Sequence, residues 1–125
     1  MFKDKTSSAI VAVKDLEAAR RFYGETLGLE QSGDIEQAIS FRTGDTRLIV
    51  YQSAENAGTN TANAVVWSVT DDFDAIADEL RNKGVIFEEY PEMGMEIRDG
   101  VHLGGGFKAV WFKDPDGNIL HFNTM

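Results

Sequence analysis

The sequence has no cysteine among its 125 residues. Disulfides, zinc–thiolate sites and thiol nucleophiles are therefore excluded, and the absence fits a cytoplasmic chain. Basic residues are also scarce, because 12 lysines and arginines stand against 21 acidic residues, for a formal net charge of −9. This balance argues against nucleic acid or an anionic membrane surface as a partner, since both require a basic footprint.

Long apolar runs are missing as well. No stretch approaches the roughly 20 apolar residues that a membrane-spanning helix needs, and the N-terminal segment lacks the layout of a signal peptide. Hydrophobic residues make up 42% of the chain and charged residues 26%, which is ordinary for a globular protein. We therefore expect one cytoplasmic domain, residues 1–125, with no membrane partner.

A β-hairpin is predicted near the end of the sequence, over residues 109–122. Its centre is the run Asp114-Pro115-Asp116-Gly117-Asn118, in which proline fixes φ for a turn and glycine accepts a positive φ. The flanking arms are β-branched or aromatic and alternate in polarity. The hairpin places Trp111 and His121 on neighbouring strands.

The rest of the chain repeats one pattern twice. Asp15 and Asp71 begin two predicted helices, 15–27 and 72–83, and Gly28 and Gly84 end them at the same spacing. Apolar and β-branched runs predict strands at 8–14, 30–32, 38–43, 47–52, 64–70 and 85–89. Internal repetition of this kind indicates paired modules.

We therefore predict an α+β fold of two βαβββ modules that form a curved mixed sheet with a concave cleft. Module one covers residues 7–53, a small polar linker covers 54–63, and module two covers 64–125. Module two contains a glycine-rich insert at 90–106. This insert is interpreted either as a solvent loop or as a flap over the cleft.

Two motifs carry a resemblance to a known family. They are D-L-x-x-A-x-x-F-Y-x-x-x-L-G-L from Asp15 and D-P-D-G-N from Asp114. With the paired modules, they make nearly the whole chain resemble the vicinal oxygen chelate superfamily, which holds glyoxalase I, extradiol dioxygenases, fosfomycin-resistance enzymes and bleomycin-resistance proteins. This resemblance implies the glyoxalase/bleomycin resistance fold, but one fold hosts many chemistries.

Metal-using members of that superfamily hold the metal with four inward-facing ligands, one in the first and one in the last strand of each module. The resemblance places these positions at Ser8, Val50, Ala64 and His121. Only His121 is a good ligand, and a divalent transition metal needs two or three converging imidazoles or carboxylates. We therefore expect no cofactor, and a divalent metal is disfavoured.

From the four positions that the resemblance implies, alternation along the strands predicts the other side chains that face the cleft. Trp111 would stack against a ligand, His121 would bind its polar end or act as acid/base, and Arg42 could hold a carboxylate or phosphate. His102, in the insert, is expected to be solvated, but it could reach the ligand if that loop closes, and Trp67 is expected to pack under a helix. The predicted ligand-binding residues are Trp111, His121, Arg42, Ser40, Val50, Gln52, Ser8, Ala64, Val66, Ser68 and Asn123.

Two classes of function remain open. In the first, the protein is a metal-independent binder that holds an aromatic or amphipathic ligand, in the manner of bleomycin-resistance proteins. In the second, it is a lyase, isomerase or dioxygenase that uses His121 as acid/base or through an atypical metal set of His102, His121 and Glu96. A homodimer is expected in either case, because closed two-fold dimers are the commonest oligomers.

Overall fold

A computed structural model describes the backbone of residues 1–125 and the side chains of all of them except residue 35. The chain divides into two compact units, Met1–Thr59 and Asn60–Met125. The boundary lies inside residues 54–63, the stretch that the sequence predicts as a linker. No helix in the described chain is both long and apolar enough to cross a membrane.

The first unit contains one helical segment and four strands. Its sheet has the order β1-β4-β3-β2, in which β1 runs parallel to β4 and the other neighbours are antiparallel. The bounds are β1 (Ala9–Val13), α1 (Leu16–Ala19) with a π-helical continuation (Arg20–Thr26), β2 (Glu30–Ile35), β3 (Ala38–Thr43) and β4 (Thr46–Gln52).

The ends of this helical segment follow from its sequence. Asp15 caps its start, because its carboxylate accepts the backbone N–H of Glu17 at 2.9 Å. Near the other end, the Leu27 N–H donates to the carbonyl of Phe22, five residues back, which is the π-helical pattern. Gly28 then takes a φ of 73°, as predicted for a left-handed helix end.

The second unit repeats this arrangement and adds to it. Its strand order is β5-β10-β9-β8-β7, and the short β6 pairs with β9. The bounds are β5 (Asn63–Ser68), a 3₁₀ turn (Thr70–Asp72), α2 (Phe73–Asn82), β6 (Phe87–Glu88), a 3₁₀ turn (Pro91–Met93), β7 (Glu96–Arg98), β8 (Val101–Gly104), β9 (Phe107–Lys113) and β10 (Ile119–Asn123).

The glycine-rich insert forms part of the second sheet. Residues 96–104 are a hairpin whose second strand, β8, pairs antiparallel with β9. The interpretation of this stretch as a solvent loop is therefore wrong. The strand predicted at 85–89 is reduced to the two residues of β6, and β6 and β8 together line the edge of β9 that corresponds to the edge of β3 lined by β2 in the first sheet. Gly100 permits the tight hairpin turn, since it has a φ of 82° and a Cβ there would lie 2.6 Å from the Cβ of Phe87.

Each sheet has one face packed on its own helix. In the first unit the buried Tyr23 contacts Phe41, with ring centroids 6.1 Å apart. In the second unit Phe122 contacts Phe73 at 5.0 Å and Phe112 at 6.1 Å. Register places Trp67 on the same face as Phe122, as expected. Burial of these aromatic side chains contributes to the stability of each unit.

The predicted C-terminal hairpin is present, and hydrogen bonds to a buried carboxylate hold its turn. The buried carboxylate of Asp114 accepts the backbone N–H groups of Asp116 and Asn118 and the side-chain amide of Asn118, at 2.8–3.0 Å. Gly117 takes the positive φ, 96°, that the turn requires. Because β9 and β10 meet at this turn, it fixes the register of Trp111 against His121.

Candidate functional site

Polar and aromatic side chains occupy the face of the second sheet that lies opposite its helix. Residues paired across strands share a face, so register defines two rows. The first row contains Val66, His121, Trp111 and Glu88. The second row contains Ser68, Asn123, Ala109 and His102.

Trp111 and His121 form a direct stack at the centre of this face. Their ring centroids lie 4.3 Å apart with an interplanar angle of 14°. Trp111 is 8% exposed and His121 is 7% exposed. The structure therefore brings these two predicted residues together, each as the other's cross-strand partner.

Hydrogen bonds fix the tautomer of His121. Its Nδ1 lies 3.0 Å from the carbonyl oxygen of Val110, and its Nε2 lies 3.0 Å from the side-chain nitrogen of Asn123. A carbonyl only accepts and an amide NH₂ only donates, so Nδ1 carries the proton and Nε2 accepts. Both nitrogens are thus occupied, and His121 can exchange a proton with a ligand only after one of these contacts opens.

Burial also lowers the pKa of His121 below the usual value for histidine. The hydrogen bond to Val110 opposes this effect, and the neighbouring His102 adds to it. The imidazole is therefore neutral at pH 7, which agrees with the acceptor role of Nε2. A neutral, buried histidine can accept a hydrogen bond or a proton more readily than it can donate one from Nε2.

His102 is completely buried, so the expectation that it is solvated is wrong. It lies on β8, and its Nε2 accepts the backbone N–H of Tyr90 at 3.0 Å. Its ring is nearly perpendicular to that of Trp111, at 4.9 Å and 78°. The ring of Tyr90 contacts Trp111 edge-on at 5.6 Å. We call these four side chains, Trp111, His121, His102 and Tyr90, the Trp111 cluster.

The sequence held a signal for His102 that glycine content obscured. Val101-His102-Leu103 alternates apolar and polar residues as a strand does, and Asp99-Gly100 before it is a preferred two-residue hairpin turn. Tyr90 had no comparable signal, because it lies outside any strand. Its backbone N–H donates to His102, twelve positions later in the sequence, and no local pattern indicates that contact.

In the first sheet, the predicted cleft-facing set divides between the two faces. Val50 pairs with Val11 and Ile39 and is fully buried on the helix side, and Gln52 pairs with Val13 on that same side. Placing Val50 and Gln52 with Ser40 and Arg42 was therefore wrong. The stretch of chain from Ser40 to its partner Ile49 is one residue shorter than the stretch from Trp111 to its partner His121. A shift of one residue turns every side chain of a strand to the opposite face of the sheet.

The row equivalent to that of His121 contains Ile10, Ile49 and Ser40. Ile10 is 60% exposed, and Val66, its counterpart on β5, is 57% exposed.

Other predicted residues of the first unit are exposed and have partners of their own. Ser40 shares a hydrogen bond of 2.9 Å with Ser32, and Arg42 forms an exposed ion pair of 3.5 Å with Glu30. Ser8 lies just before β1 and is exposed. In the second unit Ser68 is exposed and Ala64 half-buried. The structure therefore brings together the predicted residues of the second sheet more closely than those of the first.

The residues present do not fit the metal that the resemblance implies. No group of three or more histidine, aspartate or glutamate side chains in the described part of the chain could hold a metal ion. Ile49, which replaces Val50 in the corrected register, offers no donor atom either. The atypical set fails as well, because Glu96 pairs with Leu103, on the face opposite His102, and forms an ion pair with Arg98.

Comparisons with solved structures place this geometry among known folds. One match is described as Oxidase ChaP-H2, with 26% identity, a TM-score of 0.73, and coverage of 98% of this chain and 94% of that one. A lactoylglutathione lyase from Agrobacterium tumefaciens matches at 18% identity and a TM-score of 0.71, with coverage of 96% and 92%. The fosfomycin resistance protein FosX from Listeria monocytogenes matches at 15% and 0.73, with coverage of 96% and 92%.

These likenesses extend over nearly the whole chain and show its fold. The model of one protein family also matches residues 6–122, which is nearly the whole sequence. The chain belongs to the Glyoxalase/Bleomycin resistance protein/Dioxygenase superfamily.

Proposed function

We propose that this protein binds a small aromatic or amphipathic molecule, without a metal, at the face of the second sheet that carries the Trp111 cluster. The observation that supports this most directly is the composition of that face. An indole, two imidazoles and an amide occupy positions where a purely structural sheet would carry aliphatic residues. Small-molecule sites typically combine aromatic walls with a few placed polar groups.

The exposed part of this face supplies the contact surface. Val66 is the cross-strand neighbour of His121 and is mostly exposed, and Ser68, the neighbour of Asn123, is exposed as well. The ligand's apolar body would lie on Val66 and reach the accessible part of Trp111. Ser68 offers a hydroxyl beside it. The acidic balance of the whole chain favours a neutral or cationic ligand over an anion.

Metal independence is supported by the donor set. Of the four positions that hold a metal in related proteins, this chain has serine, alanine, an aliphatic residue and His121. The single imidazole is already bonded at both nitrogens. One such ligand does not hold a divalent ion with useful affinity.

A second candidate is catalysis by His121 as a general base. The observation that favours it is the hydrogen bond from Asn123 to Nε2, which shows that this nitrogen has a free lone pair, and burial lowers the pKa of His121 and so favours the neutral ring. Two of the structural neighbours are described as a lyase and an oxidase. For this role, the contact between Nε2 and Asn123 must open when the substrate binds.

The test combines metal analysis with ligand binding. Protein purified without a histidine tag should contain no stoichiometric transition metal, and NMR titration with aromatic compounds should shift the indole signal of Trp111 before other signals. Stoichiometric zinc, nickel, manganese or iron that is lost in His121→Ala would overturn the proposal. Turnover of a bound compound that His121→Ala abolishes would establish the second candidate instead.

We also propose that the protein is a homodimer, since closed two-fold pairs are the commonest assemblies. Light scattering at micromolar concentration should give twice the chain mass of 13.8 kDa. A monomer mass would refute this.

A further inference from the structure

The buried His102 has a hydrogen-bond donor for which the described part of the chain provides no acceptor. Its Nε2 accepts the backbone N–H of Tyr90, so in the neutral ring the proton sits on Nδ1. That Nδ1 is buried and has no hydrogen-bond partner among the groups that the structure describes. Leaving such a donor unpaired costs the free energy of removing it from water, and unpaired groups of this kind in native proteins require an explanation.

We infer that the Nδ1–H of His102 donates to an oxygen atom of the bound ligand, and that the ligand is an uncharged aromatic carbonyl compound such as an aromatic ketone, quinone or amide. This inference rests on the proposed function and adds to it the polar group that the ligand must carry. A neutral imidazole offers one donor, which matches one carbonyl oxygen. The net charge of −9 disfavours a carboxylate in its place.

The surroundings of His102 also select an aromatic ligand. Its ring lies edge-on against Trp111, and the ring of Tyr90 contacts both Trp111 and His102, at 5.6 Å and 5.9 Å. A planar aromatic ligand that enters between these rings replaces their contacts with one another by contacts with itself, so little apolar surface becomes exposed. A carbonyl on its edge can then reach the donor in the middle of the Trp111 cluster.

Tyr90 has two separate roles in this arrangement. Its backbone N–H holds the Nε2 of His102 and thereby fixes the proton on Nδ1. Its side chain is only half-buried and is followed by the exposed residues Pro91–Met93. Turning the Tyr90 ring about its side-chain bonds leaves this backbone hydrogen bond unchanged, so a ligand that displaces the ring would find the His102 donor in the same orientation.

Two naphthalenes provide matched probes for the test. 2-Acetylnaphthalene carries the carbonyl oxygen, and 2-ethylnaphthalene has the same shape without it. The variant His102→Gln retains an acceptor for the Tyr90 N–H and lacks a group at the Nδ1 position. The expected result is that the preference for 2-acetylnaphthalene over 2-ethylnaphthalene, measured as the ratio of their two dissociation constants, falls about tenfold in His102→Gln.

Other outcomes separate the two proposals. If Trp111→Ala weakens both probes while His102→Gln changes neither, the carbonyl inference is wrong and the aromatic site stands. If His102→Gln weakens both probes equally, His102 is structural and the inference is also wrong. If neither probe binds the wild-type protein, the proposed function is wrong, and the inference that rests on it is wrong as well.

An independent measurement uses the free protein and the His102 ring itself. ¹⁵N NMR of imidazole-labelled protein should show the proton on Nδ1, with its ¹H signal moving downfield when 2-acetylnaphthalene is added. A proton found on Nε2, or an Nδ1–H signal already shifted by a stable hydrogen bond before the probe is added, would overturn the inference.

Discussion

The two sheets share a strand order and a buried helix side, but their other faces differ in chemistry. The row Ile10–Ile49–Ser40 of the first sheet corresponds to Val66–His121–Trp111 of the second. The central positions are therefore an isoleucine and a serine in one sheet and a histidine and a tryptophan in the other. A repeated fold allows one copy to keep a plain surface while the other acquires functional groups.

The two sheets share a buried side that packs on a helix, and this packing is tested most directly by replacing one buried aromatic side chain in each sheet with alanine. Phe41→Ala and Phe122→Ala should each destabilise the protein by about 3–5 kcal/mol, since both rings are nearly fully buried. Urea denaturation monitored by circular dichroism measures this. The matched control Phe2→Ala, at an exposed position, should stay within about 0.5 kcal/mol of wild type. A small loss for only one of the two buried rings would show that the sheets are not equally packed.

The difference between the sheets should appear first in ligand binding. Trp111→Ala should cost about 1–3 kcal/mol of binding free energy for an aromatic ligand, the order expected for a large aromatic anchor. Ser40→Ala, at the equivalent position of the first sheet, should leave binding unchanged. Titration calorimetry on both variants gives the comparison. Equal losses at the two positions would place the ligand elsewhere.

The free energy of unfolding should also depend on pH, through His121 in the second sheet. The pKa of His121 is lowered in the folded protein, so the unfolded chain binds the proton more tightly. The stability that this provides is complete above the unfolded pKa of about 6.5 and is lost as the pH falls through the folded pKa. The slope from this one group cannot exceed about 1.4 kcal/mol per pH unit.

The matched variant for this measurement is His121→Asn, which keeps a donor near Val110 and cannot titrate. Denaturation midpoints measured at intervals below pH 7 should fall less steeply in the variant than in wild type. The equivalent row of the first sheet contains no ionisable group, so it contributes nothing to this slope. Identical pH profiles for the two proteins would contradict the assignment.

Much of this architecture could be predicted because the signals were local. The bounds of β3 coincide with those expected for 38–43, Asp15 caps its helix, and the turn at residues 114–118 closes as its proline and glycine indicate. The register of the second sheet followed from the same turn. Sequence reasoning therefore placed Trp111, His121 and Asn123 on one face, and the family resemblance added Ser68.

The errors arose where the information was not local. Val50 was assigned to the wrong face because one residue in a connection reverses the side-chain alternation, and no feature of β4 itself reveals that slip. His102 was taken as solvated because glycines on both sides of it suggested a loop. Its burial depends on pairing with Ala109 and contact with Trp111, which only the folded sheet provides.

The smallest expected effect distinguishes the two exposed first-strand residues. Ile10 and Val66 have equivalent positions and similar exposure, so neither contributes much to stability. Ile10→Thr and Val66→Thr keep β-branching and so should change unfolding free energies by less than about 0.5 kcal/mol. Val66→Thr should nevertheless weaken binding of an aromatic ligand by about 1 kcal/mol, because a methyl group that contacts the ligand becomes a hydroxyl. Ile10→Thr should bind as wild type does. If both variants lost affinity equally, the surface that contacts the ligand would include the first sheet, and the contrast between the two faces would no longer hold.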